Sequence, residues 1–211
     1  MLLDQQPAIQ KTKPEMNDSE KIIELIFGKR GSGKSYFAKK KIEQHSRYLV
    51  YDTIGEYRDG VVVESLAELS RLWEKVYREE FRIIYQPLDP EQEFDTVCEL
   101  IWQCGQVTFL VEEVDRYARP LAMSVALKEI VQRGRHRDIT LIGVTQRPHG
   151  VDRLLTSQAK AMYIFNTTEP RDIKYFQDVV GESVVAKLSE LKEYEFVEWR
   201  DGTNELIISR R

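Results

Sequence analysis

Residues 28–35 read Gly-Lys-Arg-Gly-Ser-Gly-Lys-Ser, a complete G-x-x-x-x-G-K-[ST] pattern. Before it stands the apolar run IIELIF, and after it residues 34–45 suit a helix. This arrangement constrains the chain more than any other feature. The glycines let the backbone curl until successive N–H groups converge on one point. The helix that follows adds the positive end of its dipole to the same point. Gly28, Lys29, Arg30, Gly31, Ser32, Gly33, Lys34, Ser35 and Tyr36 are therefore expected to hold the phosphates of a nucleotide. Lys34 is expected to reach the β- and γ-phosphates, and the Ser35 hydroxyl to ligate Mg²⁺.

Such a loop needs a sheet behind it, and the remaining apolar segments supply one. RYLVYD (47–52), VVVE (61–64), FRIIY (81–85), VTFLVEEV (107–114), ITLIGVT (139–145) and AMYIF (161–165) read as strands. Between them the spacing predicts helices. Ser65 with Glu68 makes a capping box for one reaching about Glu79. Pro90 opens another over 90–104, and a third spans 120–133. Helices over about 169–180 and 182–191 precede a hairpin, EFVEWR and ELIISR, turning at Asp201-Gly202. Alternation of this kind predicts one α/β domain over 21–211, with a mainly parallel sheet covered on both faces and a C-terminal hairpin. Residues 1–20 are polar, contain Pro7 and Pro14, and read as a flexible leader.

The acidic partners of the loop are sought at the end of a neighbouring strand. VTFLVEE ends in adjacent carboxylates, Glu112 and Glu113. Glu112 stands where Asp is usual, and its longer side chain is expected to reach Mg²⁺ through a water. Glu113 is the better candidate for accepting the proton of an attacking water. Gln146, just past ITLIGVT, offers an amide to the γ-phosphate or to that water.

Charge and cysteine content limit the alternatives. The net charge is −4, but residues 116–153 hold eight Lys/Arg against three Asp/Glu, a surface suited to phosphate or DNA. Cys98 and Cys104 suit a reducing compartment, and no Cys or His spacing indicates zinc. No apolar run approaches the length of a membrane span, and no signal-peptide pattern opens the chain.

Several segments in order resemble the HerA/FtsK superfamily of DNA-translocating ATPases: GKRGSGKS, YDTIGEY, VTFLVEE, GRHRDITLIGVTQRP and YIFNTTEPRDI. Asp52, Gly55, Glu56 and Tyr57 match the family's second-strand signature, with Thr53-Ile54 in place of its common Pro-His. The resemblance spans about 21–200 and implies a three-layer, RecA/FtsK-like fold with ATP and Mg²⁺ as cofactors. It places Gln146 at the family's sensor glutamine and Arg135 at an arginine that reaches the neighbouring subunit's site in family rings. Arg133 and Arg137 are close enough to compete for that role. Chain size and the segment TTEPRDIKYFQDVVGESVVAKLSELKEYEF are similar to the genome-packaging ATPases of tailless internal-membrane viruses.

What this implies is a homo-oligomeric ring, hexameric or pentameric, that drives double-stranded DNA into a capsid. It would dock on a capsid vertex or a membrane-associated portal protein, in the host cytoplasm or on the virion. Arg116, Arg119 and Lys128 are candidate DNA contacts. A cellular or plasmid HerA-like motor, an assembly ATPase acting on protein and a small-molecule kinase are the alternatives.

Overall fold

The computed structural model describes residues 22–203 and 207–210, so the expected leader and the first residues of ELIISR lie outside the described residues. The apolar runs become the strands of one sheet. They are β1 (Ile23–Phe27), β2 (Arg47–Tyr51), β3 (Val61–Val63), β4 (Phe81–Tyr85), β5 (Val107–Val111), β8 (Ile139–Thr145), β9 (Ala159–Phe165), β10 (Glu195–Arg200) and β11 (Ile207–Arg210). Their order is β11-β10-β9-β1-β8-β5-β2-β4-β3. From β9 to β3 all pairings are parallel; β10 runs antiparallel to both β9 and β11.

This order decides where the helices go. From β1 the chain steps three places along the sheet to β2 through α1 (Lys34–Ile42). Every later parallel crossover except β2 to β3 steps the opposite way. These carry α2 (Leu66–Val76), α3 (Pro90–Cys104), α4 (Val125–Arg133) and α5 (Arg153–Gln158). Right-handed crossovers in opposite directions put their helices on opposite faces. Accordingly, Ala38 and Ile42 of α1 pack on Ile26, Val50, Leu110 and Ile142. Leu69, Phe94, Leu127 and Leu155, from α2 to α5, pack with Leu25, Leu49, Phe109 and Ile164 on the other face. Phe176 of α6 (Pro170–Val180) and Val184 of α7 (Glu182–Leu188) join that second core. Both faces are covered as expected, but very unequally: among the described residues α1 is the only helix on its side.

Local signals hold where they were strongest. Ser65 accepts from the Glu68 N–H at 3.3 Å, and Asp89 accepts from the Gln92 N–H at 3.2 Å with Pro90 in the first turn of α3. α2 nevertheless stops at Val76 and α7 at Leu188, one turn or less short of the sequence reading. The expected helix from 120 begins only at Val125. Residues before it form a small ribbon, β6 (Ala118–Arg119) with β7 (Ala122–Met123), turning at Pro120-Leu121. Pro120 brings no N–H to a helix, Leu121 sits at φ 64°, and Ser124 supplies the cap by accepting from the Leu127 N–H. α5 is unforeseen, because six residues are too short to show a period.

Candidate nucleotide site

The phosphate loop joins the C-terminal end of β1 to α1, in the middle of the sheet. Its first amide is anchored: the Gly28 N–H donates to the Thr145 carbonyl at 3.2 Å. A Cβ at Gly28 would lie 2.5 Å from Ser32 Oγ and 2.8 Å from Phe165 Cβ, so only glycine fits that crossing. Gly33 caps α1 at φ 100°, a left-handed conformation, with no side-chain oxygen on the helix N-terminus. The first N–H groups of a helix have no intrahelical partner and attract anions. Ser32 Oγ is also buried, with no hydrogen-bond partner among the described residues. An orphaned hydroxyl inside a curl of amides is what a phosphate oxygen would satisfy.

Lys34 is 7% exposed, and burial lowers its pKa against the opposing pull of Glu112, Glu56 and Glu113. It opens with Arg30, Gly31, Ser35, Tyr36 and Gln146 onto a cleft of about 610 Å³. The structure thus brings together the loop and Gln146 from the end of β8, as their strand positions require. Ile54, Glu56 and Tyr194 complete the cleft wall and were not among the expected site residues.

Glu112 and Glu113 follow β5 but enter different environments. Glu112 is 2% exposed, and burial pushes its pKa up to about 7, although the Tyr57 hydroxyl and Lys34 both favour its anion. Tyr57 Oη donates to Glu112 Oε1 at 2.7 Å. Tyr57 is held in turn by Asp52, whose carboxylate accepts from the Glu56 and Tyr57 N–H groups at 3.2 and 3.1 Å and from Gln86 Nε2 at 2.9 Å. The second-strand signature therefore works as a brace: Asp52 folds the loop, and the loop delivers Tyr57 to Glu112. Glu113 turns outward at φ 50°, ψ 44°, a strained conformation for a non-glycine residue. Its Oε2 accepts from Thr53 Oγ1 at 3.2 Å and from Arg116 Nη1 at 3.0 Å.

Arg116 also donates to Glu91 at the start of α3. Arg116, half-buried, is thus held by two carboxylates, whereas the other two candidate DNA contacts, Arg119 and Lys128, are exposed. Aromatic packing supports the same corner. Phe94 stacks on Tyr117 with ring centroids 3.7 Å apart, and Tyr51 meets both rings edge-on.

Arg135 is not brought to this site. It lies before β8, at the strand end opposite Gln146, in a short helical turn over Gly134–Arg137. Seven strand residues separate the two ends by about 20 Å. Arg137 is engaged elsewhere, donating to the Trp102 and Gln103 carbonyls at 3.1 and 2.7 Å, where α3 ends. Arg133 pairs with Glu129 at 2.9 Å on the surface of α4. Among the described residues, the side chain of Arg135 makes only a 3.5 Å contact with His136. Oxygen donors suited to a hard cation are present in Ser35 and Glu112, whereas no cluster of three His, Cys, Asp or Glu occurs among the described residues. Nor is any helix among them long and apolar enough to cross a membrane.

No protein-family model matches the chain, and none of the curated proteins matches it in sequence. Solved structures do match. The genome packaging NTPase B204 from Sulfolobus turreted icosahedral virus 2, in complex with AMPPCP, superposes with a TM-score of 0.76 at 20% identity, covering 92% of this chain and 98% of that one. B204 from Sulfolobus turreted icosahedral virus, described as a DNA-packaging ATPase, gives 0.72 at 19% identity over 92% and 98%. VirB4 of Thermoanaerobacter pseudethanolicus gives 0.62 at 12% identity over 89% and 88%. Strand order, loop position and these superpositions together show that the chain shares the P-loop fold of the B204 NTPases and VirB4.

Proposed function

We propose that this chain is an ATPase that drives double-stranded DNA through a homo-oligomeric ring, as the motor of viral genome packaging. One observation carries the nucleotide reading: the glycine-rich curl holds a buried Ser32 hydroxyl, unpartnered among the described residues, beside a buried Lys34 that feels the Glu112 charge. ATP would place its phosphates on the loop amides, with Lys34 on the β- and γ-oxygens. Ser35 and Glu112 are the oxygen donors for Mg²⁺, which when bound neutralises charge on the phosphates. Glu113 leaves Thr53 and Arg116 to take the proton of the attacking water. Gln146 orients that water or senses the γ-phosphate from the end of β8. The DNA reading is supported by the B204 likeness and by the exposed Arg119, Lys128, Arg133 and Arg135. Five or six subunits would form the ring, docked on a capsid vertex or membrane-associated portal protein in the host cytoplasm or on the virion.

The test is the ATPase rate of the full chain with and without duplex DNA across a salt series. Duplex is expected to stimulate turnover, and the stimulation to fall steeply with salt, because phosphate contacts release counterions. Lys34→Ala is expected to abolish turnover while circular dichroism stays unchanged. Wild-type turnover in that variant overturns the phosphate-loop assignment. Turnover indifferent to duplex at every salt concentration overturns the DNA reading and favours a motor acting on protein.

A further inference from the structure

We propose that Tyr194, together with Tyr36 in the same cleft, holds the purine base of the bound nucleotide. The inference rests on the reading that the loop binds a nucleoside triphosphate, and adds where the rest of that molecule lies. Strand order fixes the direction. The groups assigned to the γ-phosphate, Gln146 and Glu113, follow β8 and β5, on one side of β1. If the terminal phosphate faces them, the nucleoside leaves the loop on the other side, towards β9 and β10. Tyr194 immediately precedes β10 and lines the cleft with Lys34, Ser35 and Tyr36. At ordinary strand spacing, β10 lies about 10 Å from β1, within reach of a nucleoside extending from the loop.

The backbone gives a second, independent indication. The Glu195 N–H donates to the Lys192 carbonyl at 3.1 Å, closing a turn whose third residue is Tyr194 at φ 66°. Turns with positive φ at that position ordinarily take Gly or Asn. A bulky aromatic residue there works against local preference, as strained residues at ligand sites do. The turn is also pinned. Leu191 is buried in the core, its carbonyl accepts from Asn166 Nδ2 at 3.2 Å, and the Lys192 N–H donates to Glu195 Oε2 at 2.8 Å. Tyr36, on the first turn of α1, presents a second half-exposed ring to the cleft. A base stacked on such a platform gains affinity through its π-face whatever its hydrogen-bonding edge.

Binding titrations on the full chain with ATP, GTP and inorganic tripolyphosphate separate base from phosphate contacts. Wild-type protein is expected to bind both nucleotides tighter than tripolyphosphate. Tyr194→Ala should weaken ATP and GTP by about tenfold or more, and leave tripolyphosphate within about twofold. Tyr194→Phe keeps the ring and should match wild type. Tyr194→Gly suits the left-handed backbone and guards against misfolding; it should lose nucleotide affinity as the alanine variant does. Equal losses on nucleotide and tripolyphosphate, no loss in the ring-less variants, or a phenylalanine variant as weak as alanine each overturn the clamp alone. Wild-type protein that binds neither ligand overturns the nucleotide reading as well.

Discussion

At the C-terminal ends of β1, β2 and β5, charged side chains are buried and answered by the same chain. Lys34 faces Glu112, Tyr57 donates to Glu112, and Asp52 is saturated by two backbone amides and Gln86. At the opposite ends of the strands, ahead of β8, Arg133, Arg135 and Arg137 are all exposed, and among the described residues no carboxylate pairs with Arg135. Burying a charge demands a partner, whereas a solvated arginine needs none. One end is therefore answered within the chain, whereas Arg135 at the other is left to solvent.

The strongest way to break this contrast is at the exposed end. If Arg135 serves a neighbouring subunit's nucleotide, Arg135→Ala should lower turnover by about a thousandfold or more and leave the melting temperature unchanged. Mixing it with Lys34→Ala subunits should restore part of the activity, since some interfaces then pair an intact loop with an intact arginine. Complete inactivity at every ratio would count against Arg135 acting in trans. At the buried end, Glu113→Gln should keep ATP binding and slow hydrolysis by about a hundredfold or more; single-turnover rates close to wild type would assign the base elsewhere.

A smaller effect sharpens the contrast through pH. An unfolded glutamate titrates near 4.3, whereas Glu112 in the fold titrates at about 7. Between these values the folded chain keeps a proton that the unfolded chain has released. Glu112 therefore lowers stability progressively as pH rises through this window, and the loss is complete above it. Without nucleotide, Glu112→Gln should be more stable than wild type at pH 8, by about 3–4 kcal/mol, with the difference vanishing near pH 4. Urea denaturation at the two pH values measures it. Parallel pH profiles for the two proteins would mean that the carboxyl is not buried as described.

The phosphate loop and its strand were legible because both are local: eight consecutive residues fix the curl, and an apolar run fixes the strand behind it. The parallel sheet followed from alternation, but its unequal faces depend on strand order, which no single segment encodes. Likewise, Glu112 and Glu113 were recognisable as a pair at a strand end, while their separate fates were not. These are set by Tyr57, Thr53 and Arg116, of which the first two come from a loop more than fifty residues away. The second-strand signature was visible without a stated role until Asp52 and Tyr57 gave it one. Arg116 looked like one more basic residue in a basic stretch, because its link to Glu91 spans the fold. Tyr194 carried no signal except an aromatic residue where a turn prefers glycine.

The left-handed backbone at Glu113 has a consequence for how this protein could be improved or spoiled. Asparagine tolerates that conformation better than glutamate, so Glu113→Asn relieves strain on the order of 1 kcal/mol. A selection for heat resistance alone would favour such a change, yet it deletes the carboxylate on which the proposed hydrolysis depends. Thermal tolerance and turnover are opposed at this one residue, and only a screen that scores both would retain the native glutamate.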